Sequence, residues 1–302
     1  MAPEWIQAEW LILNGKTESI RVNGNALSYL VNQIVMEIVF IRTAAQSDGN
    51  MPVKTLSASE MSELDRVLIE DYRIELGMMM ENAGRALAIQ SKAFLGGSLV
   101  NKRVLVLAGK GNNGGGGMVA ARHMNDWGAD VIVLLTGKPN GSEPARQLSI
   151  LKKMQVRVEQ KLDHISSDKF DLTIDSLLGY NQRGDPRPTV ATLVRFANDS
   201  RLPIIALDIP TGLDPNSGVA HSPCIRATQT LTLALPKTCF TSEEGMKFAG
   251  DLYLADISVP RQLYAKYGIH SEKLFGSCPI VRLNYKKVSD NYYSLDNQES
   301  EN

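Results

Sequence analysis

Residues 103–117, RVLVLAGKGNNGGGG, join a short apolar run to a segment of six glycines and two asparagines. The apolar run is typical of a buried strand in a parallel sheet, and the following MVAARHMNDWG predicts a helix. Between a strand and a helix, Gly109, Gly111 and Gly114 match the GxGxxG pattern of dinucleotide-binding turns. Backbone N–H groups at a helix start also bind anions such as a diphosphate. This stretch therefore predicts a Rossmann-like α/β unit with an anionic ligand at the glycine turn.

The GxGxxG pattern alone does not indicate hydride-transfer chemistry. A NAD-binding unit carries an acidic residue near the end of its second strand, where the carboxylate binds the ribose hydroxyls. Here the second strand, DVIVLLTG (130–137), is followed by Lys138 and ends without an acidic residue. Each glycine costs up to about 1 kcal/mol relative to alanine where the backbone is helical. The glycine run therefore indicates that this position needs space or free amides.

Strands and helices alternate on both sides of this turn. Helices are predicted in residues 57–77, 78–95 and 143–154, and further strands in FDLTIDSLLG (170–179), LPIIALDIPTG (202–212), ATQTLTLAL (227–235) and DLYLADISVP (251–260). The alternation predicts a three-layer αβα sandwich around a mostly parallel sheet. Ligands bind at the carboxyl ends of the strands in such sheets.

Composition divides the chain into three parts. The segment RTAAQSDGNMPVKT (42–55) is typical of a linker, so residues 1–55 are predicted to be an N-terminal appendage and linker. Apolar residues at roughly helical spacing in 30–41 predict that the appendage packs on the main domain or across a dimer interface. Residues 56–283 are predicted to form the main domain, and the polar residues 284–302 are expected to be a disordered tail.

The overall composition excludes several classes of function. A formal net charge of −1 over 302 residues gives no reason to expect a nucleic acid or an anionic membrane as a partner. The N-terminus lacks the basic region of a signal peptide, and the most apolar segment (26–41) is too short and too polar to span a bilayer. Three cysteines and four histidines show no metal-binding spacing. We therefore expect a cytoplasmic protein without nucleic-acid or membrane partners.

Ionisable side chains stand at the ends of three predicted strands: Asp175, Asp208 and Lys237. Each alone is as readily explained as a helix cap or a solvated charge. Together, at the strand ends that face one glycine-rich turn, they favour a ligand site. Asp208 emerges from an apolar strand, and such surroundings can raise a carboxyl pKa toward values useful in acid–base catalysis. Arg183, in the loop after Asp175, suits a phosphate group.

Five segments, in this order and spacing, resemble the NAD(P)H-hydrate epimerase family, whose fold is the YjeF N-terminal domain. They are MENAGRA (80–86), GKGNNGGGGMVAARHM (109–124), IDSLLG (174–179), DIPTGLD (208–214) and LPK (235–237). The resemblance covers roughly residues 56–260. No segment corresponds to the dehydratase domain of some relatives, so the chain is similar to the stand-alone form.

The resemblance implies a Rossmann-like domain, often dimeric, that interconverts the R and S hydrates of NADH and NADPH (NADHX and NADPHX) and is coupled to a separate NAD(P)H-hydrate dehydratase. It implies one potassium ion (K+) per subunit, with Asn113, Asp175 and Thr211 as ligands; the family usually has serine in place of Thr211. It places Asp208 and Lys237 in catalytic positions, with Lys237 either binding phosphate or tuning Asp208. The implied substrate-binding residues are Asn112, Asn113, Gly114, Gly115, Gly116, Gly179, Tyr180, Asn181, Gln182, Arg183, Gly184, Asp185 and Asp208.

These residue types suit the implied reaction. The ring nitrogen of the hydrate expels hydroxide from C6, and water adds again to either face of the resulting iminium. Asp208 can protonate the departing hydroxyl and then deprotonate the returning water.

One position departs from the family pattern. Gly116 stands where the family usually has aspartate, and each charged hydrogen bond lost there is worth about 1.5–3 kcal/mol. Three alternatives follow: an epimerase weakened at this position, a non-catalytic ligand-binding or dimerising module like the related domain of the mRNA-decapping scaffold, or an enzyme for another small-molecule reaction.

Overall fold

The computed structural model describes residues 5–13, 16–23, 52–163, 165–166, 169–276, 278–289 and 292–297. The chain forms two compact units, Met1–Arg42 and Thr43–Asn302. In the first unit, β1 (Trp5–Leu13) and β2 (Lys16–Asn23) form a two-stranded antiparallel sheet. The expected helical spacing in 30–41 lies outside the described residues.

The second unit contains a ten-stranded sheet with helices between its strands. The strands are β3 (Pro52–Val53), β4 (Arg103–Ala108), β5 (Asp130–Leu135), β6 (Arg157–Glu159), β7 (Leu172–Ser176), β8 (Ile204–Leu207), β9 (Gln229–Leu233), β10 (Asp251–Ala255), β11 (Ile280–Ser289) and β12 (Tyr292–Asn297). The helices are α1 (Ala58–Glu70), α2 (Leu76–Phe94), α3 (Asn112–Asp126), α4 (Ser142–Lys153), α5 (Pro188–Asp199), α6 (Glu243–Ala249), α7 (Arg261–Lys266) and α8 (Ser271–Phe275), with a 3-10 turn at Thr238–Thr241.

The strands lie in the order β3, β12, β11, β10, β9, β8, β7, β4, β5, β6. Every neighbouring pair from β10 to β6 is parallel, whereas β11, β12 and β3 extend the sheet in antiparallel fashion. The predicted α/β fold with a mostly parallel sheet is confirmed. The chain leaves β4 toward β5 and β6 and then returns to β7 on the other side of β4. This reversal opens a crevice at the carboxyl ends of β4 and β7, the usual ligand position in such sheets.

Both faces of the sheet are covered by helices. Val104 and Val106 of β4 pack in one apolar cluster with Met118 of α3. Leu105, which points to the opposite face, packs in another cluster with Leu193 of α5. This alternation along β4 is the period-two pattern of a strand buried on both sides. The predicted three-layer sandwich is therefore confirmed.

Helix α1 begins where the sequence predicts. Ser57 is its N-cap, and a capping box joins Ser57 and Glu60. Such a box satisfies two backbone N–H groups that otherwise lack partners in the first turn. Met61, Leu64 and Leu68 are the buried positions of this helix.

The expected disordered tail is corrected for residues 284–289 and 292–297. These residues belong to β11 and β12, and β11 pairs antiparallel with β10. Tyr285 is half-buried against the apolar core, while Asn284 and Lys286 on either side of it are exposed. The polar composition concealed this alternation, which marks a strand with one buried face.

The structure also describes the surroundings of the three cysteines. Cys224, Cys239 and Cys278 are buried, as expected for small apolar side chains. None of the helices within the described ranges is long and apolar enough to cross a lipid bilayer.

Candidate functional site

A cavity of about 660 Å³ opens at the reversal of the strand order, beyond the ends of β4, β7, β8 and β9. The residues anticipated from the sequence that line it are Asn112, Asn113, Gly116, Gly179, Tyr180, Asn181, Gln182, Asp208 and Lys237. Those that do not line it are Gly114, Gly115, Asp175, Arg183, Gly184, Asp185 and Thr211. The start of α3 and three loops therefore converge on one space, although they are far apart in sequence.

The four-glycine run lies inside α3, although the sequence predicted that the helix would follow it. Helix α3 begins at Asn112. A Cβ at Gly114 would lie 2.0 Å from the carbonyl oxygen of Gly109, and one at Gly117 would lie 1.9 Å from Oγ of Ser176. A Cβ at Gly115 would lie 2.6 Å from Sδ of Met80 in α2. These glycines therefore allow α3 to pack closely on the sheet and on α2.

Gly116 has a different environment from its neighbours. It lines the cavity, and a Cβ there would meet one atom within 4 Å, Cδ2 of Leu207 at 2.8 Å. That atom is the end of a flexible side chain, so a small shift could relieve the contact. Position 116 therefore has room for a side chain that enters the cavity.

Asp208 and Lys237 form a buried ion pair on the cavity wall. Nζ of Lys237 lies 2.5 Å from Oδ1 of Asp208, and the two side chains are 0% and 5% exposed, respectively. The ammonium also donates to the carbonyl oxygen of Leu233 at 2.9 Å and contacts Oγ1 of Thr232 at 3.3 Å. Oxygen atoms of Asp208, Leu233 and Thr232 therefore surround the Lys237 ammonium. The pairing offsets the cost of burying each charge.

The backbone of Asp208 holds an uncommon conformation. Its φ is 70°, in the left-handed region that residues other than glycine rarely occupy. The N–H group of Asp208 donates to the carbonyl oxygen of Leu231 at 2.8 Å. Its Oδ2 accepts from the backbone N–H group of Tyr180 at 3.0 Å. These contacts therefore hold the backbone of Asp208 in a strained conformation, which costs about 1–3 kcal/mol. Such conformations are frequent at functional sites.

Asp175 lies behind the cavity wall and is completely buried. Its carboxylate accepts from the backbone N–H of Thr211 at 2.8 Å, the hydroxyl of Thr211 at 2.7 Å and the backbone N–H of Leu177 at 3.2 Å. Burial raises the pKa of Asp175 to about 6, although these hydrogen bonds act in the opposite direction. Asp175 therefore holds together the two loops that follow β7 and β8.

Asn113 and Thr211 meet through the backbone of Leu178. The side-chain amide of Asn113 donates to the carbonyl oxygens of Leu178 at 3.0 Å and Leu207 at 3.3 Å. The N–H group of Leu178 donates to Oγ1 of Thr211 at 3.1 Å. The structure thus joins the three residues implied as potassium ligands, Asn113, Asp175 and Thr211, in one network. In the described part of the chain, no group of three or more His, Cys, Asp or Glu side chains could hold a metal ion.

The loop after Tyr180 is anchored by its own side chains. Buried Gln182 donates to the carbonyl oxygen of Pro210 at 3.1 Å and accepts from the N–H of Gly212 at 2.6 Å. Asp185 accepts from the backbone N–H of Ser222 at 2.9 Å, whereas Arg183 is exposed. Gln182 therefore links this loop to the loop after Asp208.

The MENAGRA segment packs two helices together. Glu81 of α2 pairs with Arg122 of α3 and contacts Nε2 of His123 at 2.8 Å. A Cβ at Gly84 would lie 2.4 Å from Cβ of Val119, so α2 and α3 need glycine at this crossing. These residues of the segment hold α3 in place and thereby support the glycine-rich wall of the cavity.

Sequence reasoning missed Asp65 of α1. Its Oδ2 accepts a hydrogen bond from the Tyr180 hydroxyl at 2.6 Å, and Asp65 lines the cavity. Burial raises the pKa of Asp65 above its usual range, while the Tyr180 hydrogen bond lowers it. The sequence contained a signal, because Asp65 follows Met61 by four residues and so occupies an apolar stripe with Leu64.

Comparison with known proteins gives a consistent result. A family model described as "YjeF-related protein N-terminus" matches residues 76–239. The NAD(P)H-hydrate epimerase of Dehalogenimonas lykanthroporepellens is 37% identical, and the match covers 75% of this chain and 90% of the relative. The bifunctional NAD(P)H-hydrate repair enzyme Nnr of Moorella thermoacetica is 34% identical over 70% of this chain and 41% of its own length.

A solved structure agrees with these matches. The crystal structure of the yeast protein YNL200c resembles this fold with a TM-score of 0.64 at 25% identity, covering 80% of this chain and 99% of the yeast chain. The family match spans the glycine-rich helix, Asp175, Asp208 and Lys237. The chain therefore belongs to the family of YjeF-related protein N-termini.

Proposed function

We propose that this protein is an NAD(P)H-hydrate epimerase, which interconverts the R and S hydrates of NADH and NADPH. The observation that carries this proposal is the buried Asp208–Lys237 pair on the wall of a cavity that is also lined by the glycine-rich turn at residues 109–116 and by the loop at residues 179–182, the two substrate loops. The names of the relatives from Dehalogenimonas lykanthroporepellens and Moorella thermoacetica support the same activity.

Asp208 supplies the acid–base chemistry in this proposal. In the described part of the chain, Oδ1 of Asp208 contacts the Lys237 ammonium and has no further hydrogen-bond partner. The carboxylic acid form donates its proton to the departing hydroxyl, and the carboxylate takes a proton from the water that adds back. The proton count is thus unchanged over one cycle. Lys237 stabilises the carboxylate between these two steps.

The lining of the cavity contains side chains that suit different parts of a dinucleotide. Met61, Met79 and Met80 form a buried apolar wall that suits the hydrated ring and limits the access of bulk water. Exposed Lys110 and Arg187 also line the cavity and suit a diphosphate. This distribution of apolar and cationic side chains supports a substrate that combines a ring with an anionic linker.

A potassium ion is part of the proposal, and the donor set fits it. The side chains of Asn113, Asp175 and Thr211 offer oxygen atoms, which hard cations prefer. Among the described side chains, none forms an ion pair with Asp175, whose carboxylate is held by neutral donors. A bound cation would compensate the charge of Asp175 and hold the loops that carry Leu178 and Thr211.

The reaction also has consequences for the enzymes that act beside this protein in the cell. An epimerase equilibrates two hydrates and removes neither, so we infer that a separate NAD(P)H-hydrate dehydratase consumes one of them. Relatives named as bifunctional NAD(P)H-hydrate repair enzymes support this link. The match covers 41% of the Moorella thermoacetica protein, so more than half of that protein lies outside the part that this chain resembles. We also propose a homodimer, as the family resemblance implies, and a cytoplasmic location, because the cytoplasm contains NADH and NADPH.

The test is a direct measurement of hydrate equilibration. Purified R hydrate of NADH is incubated with the protein, and chromatography follows the appearance of the S hydrate. We expect faster equilibration with the wild type and with Asp199→Asn, which changes an exposed carboxylate at the end of α5. Asp208→Asn should lower the rate by about 10²–10⁴-fold. Equal rates with and without the wild-type protein would exclude the proposed function.

A further inference from the structure

Asp65 and Tyr180 form a contact that the proposed mechanism leaves unused. The Tyr180 hydroxyl donates to Oδ2 of Asp65 at 2.6 Å, and both residues line the cavity. Asp65 belongs to α1, whereas Tyr180 belongs to the loop after β7. The hydrogen bond therefore connects the first helix of the main domain to one of the substrate loops.

The other end of Tyr180 contacts the proposed catalytic carboxylate. Its backbone N–H donates to Oδ2 of Asp208 at 3.0 Å. The preceding residue, Gly179, brings the loop backbone so close that a Cβ there would lie 3.2 Å from the same oxygen. The position of Tyr180 therefore sets the position of a hydrogen bond to Asp208.

The Tyr180 hydroxyl remains a donor over the usual pH range. Burial and the charge of Asp65 raise the pKa of Tyr180 well above its ordinary value. The ring of Tyr180 also packs against the apolar cluster that contains Met61 and Leu64 of α1. The ring is thus held by packing along its side and by Asp65 at its tip.

We propose that Asp65 is a positioning residue: its carboxylate fixes the Tyr180 ring and, through it, the backbone N–H that holds Asp208. The effect on turnover rests on the proposed epimerase activity, whereas the effect on the loop does not. Asp208 and Lys237 follow strands β8 and β9, whereas Asp65 lies on helix α1. Helix α1 then contributes to the geometry of the catalytic pair.

The experiment compares Asp65→Ala, Asp65→Asn, Tyr180→Phe and the double variant Asp65→Ala/Tyr180→Phe in the full chain. Asn keeps an oxygen that accepts the Tyr180 hydrogen bond but removes the charge. We expect Asp65→Ala and Tyr180→Phe each to lower kcat by about tenfold with little change in KM, since each loses a hydrogen bond that involves a charged group. Asp65→Asn should retain most of the wild-type kcat. The double variant should be no slower than the slower single variant.

Hydrogen exchange of the loop provides a readout independent of activity. Mass spectrometry of peptides that cover residues 177–185 should show faster amide exchange in Asp65→Ala and Tyr180→Phe than in the wild type, and near wild-type exchange in Asp65→Asn. Unchanged exchange in Asp65→Ala would overturn the proposal even if the wild type proved inactive as an epimerase.

Two further outcomes would also overturn it. If Asp65→Asn is as slow as Asp65→Ala while Tyr180→Phe is fully active, Asp65 acts on protons itself rather than through Tyr180. If the effects on kcat are additive in the double variant, the two residues act independently.

If the wild type shows no epimerisation while loop exchange follows the expected pattern, the proposed function fails and the positioning contact stands.

Discussion

The Lys237 ammonium lies 2.5 Å from Oδ1 of Asp208, in a place where both side chains are almost completely buried. Lys237→Met should therefore leave an unpaired buried carboxylate and lower the free energy of unfolding by about 3–5 kcal/mol. Chemical denaturation measures this change. The double variant Asp208→Asn/Lys237→Met should recover part of the loss, because it removes both charges. Equal stability of Lys237→Met and the wild type would contradict a coupled pair.

Asp208→Asn tests the catalytic carboxylate with little change in shape. We expect a fall of about 10²–10⁴-fold in epimerisation rate, the usual contribution of general acid–base catalysis. Circular dichroism and thermal unfolding check that the variant remains folded. A variant that folds and retains more than half of the wild-type rate would place the proton transfer elsewhere.

Gly116→Asp should increase the epimerisation rate if the missing carboxylate weakens the enzyme. The new side chain displaces the tip of Leu207 and enters the cavity. Gly116→Ala measures the packing cost without the charge. Gly117→Ala is the matched contrast, because its Cβ would meet Oγ of Ser176 at 1.9 Å and should destabilise the protein strongly. A rate for Gly116→Asp below that of Gly116→Ala would indicate that the space serves the ligand.

Potassium should raise the melting temperature of the wild type more than tetramethylammonium at equal ionic strength. A ligand that binds only the folded state stabilises it by about 2.7 kcal/mol at a concentration of 100 Kd. Asp175→Asn should remove the difference between the two cations. Identical melting temperatures in both salts would exclude a potassium site that is coupled to folding.

Ionisation of Glu81 should make the free energy of unfolding depend on pH in the acidic range. Burial alone would raise the pKa of Glu81, but the hydrogen bonds from Arg122 and His123 lower it below its ordinary value. The unfolded chain then binds the proton at a higher pH than the folded protein does. The contribution of Glu81 is therefore present above the unfolded pKa and is lost as pH falls through the folded pKa. Glu81→Gln should flatten this part of a stability–pH curve, and a curve unchanged from the wild type would contradict the assignment.

The sequence predicted the fold well because the central strands are apolar runs bounded by turns. The sequence also predicted that Asp208 and Lys237 lie at the same edge of the sheet, because the carboxyl ends of parallel strands meet there. It failed at the start of α3, where glycines that usually disfavour a helix are needed for close packing against Gly109 and Ser176. That requirement depends on contacts between distant segments, which local propensity does not contain.

The contact of Asp65 also depends on a residue that is distant in sequence. Its place in the apolar stripe of α1 was visible, but its partner lies 115 residues away along the chain. Only the folded chain shows that the buried side of α1 faces the loop after β7. A polar residue in an apolar stripe is thus a useful signal even where its partner cannot be inferred from the sequence.

The three antiparallel strands at the sheet edge have a consequence for the cavity. Val53 of β3 pairs with Leu295 of β12, so the segment that leads into α1 is fastened to the last strand of the sheet. Leu56 then bonds to Pro236 and Thr238, on either side of Lys237. Shortening the chain before β12 would therefore loosen the approach to α1 and to Lys237 together. Strand β12 therefore helps to hold the cavity wall in place, although it lies near the edge of the sheet and away from the cavity.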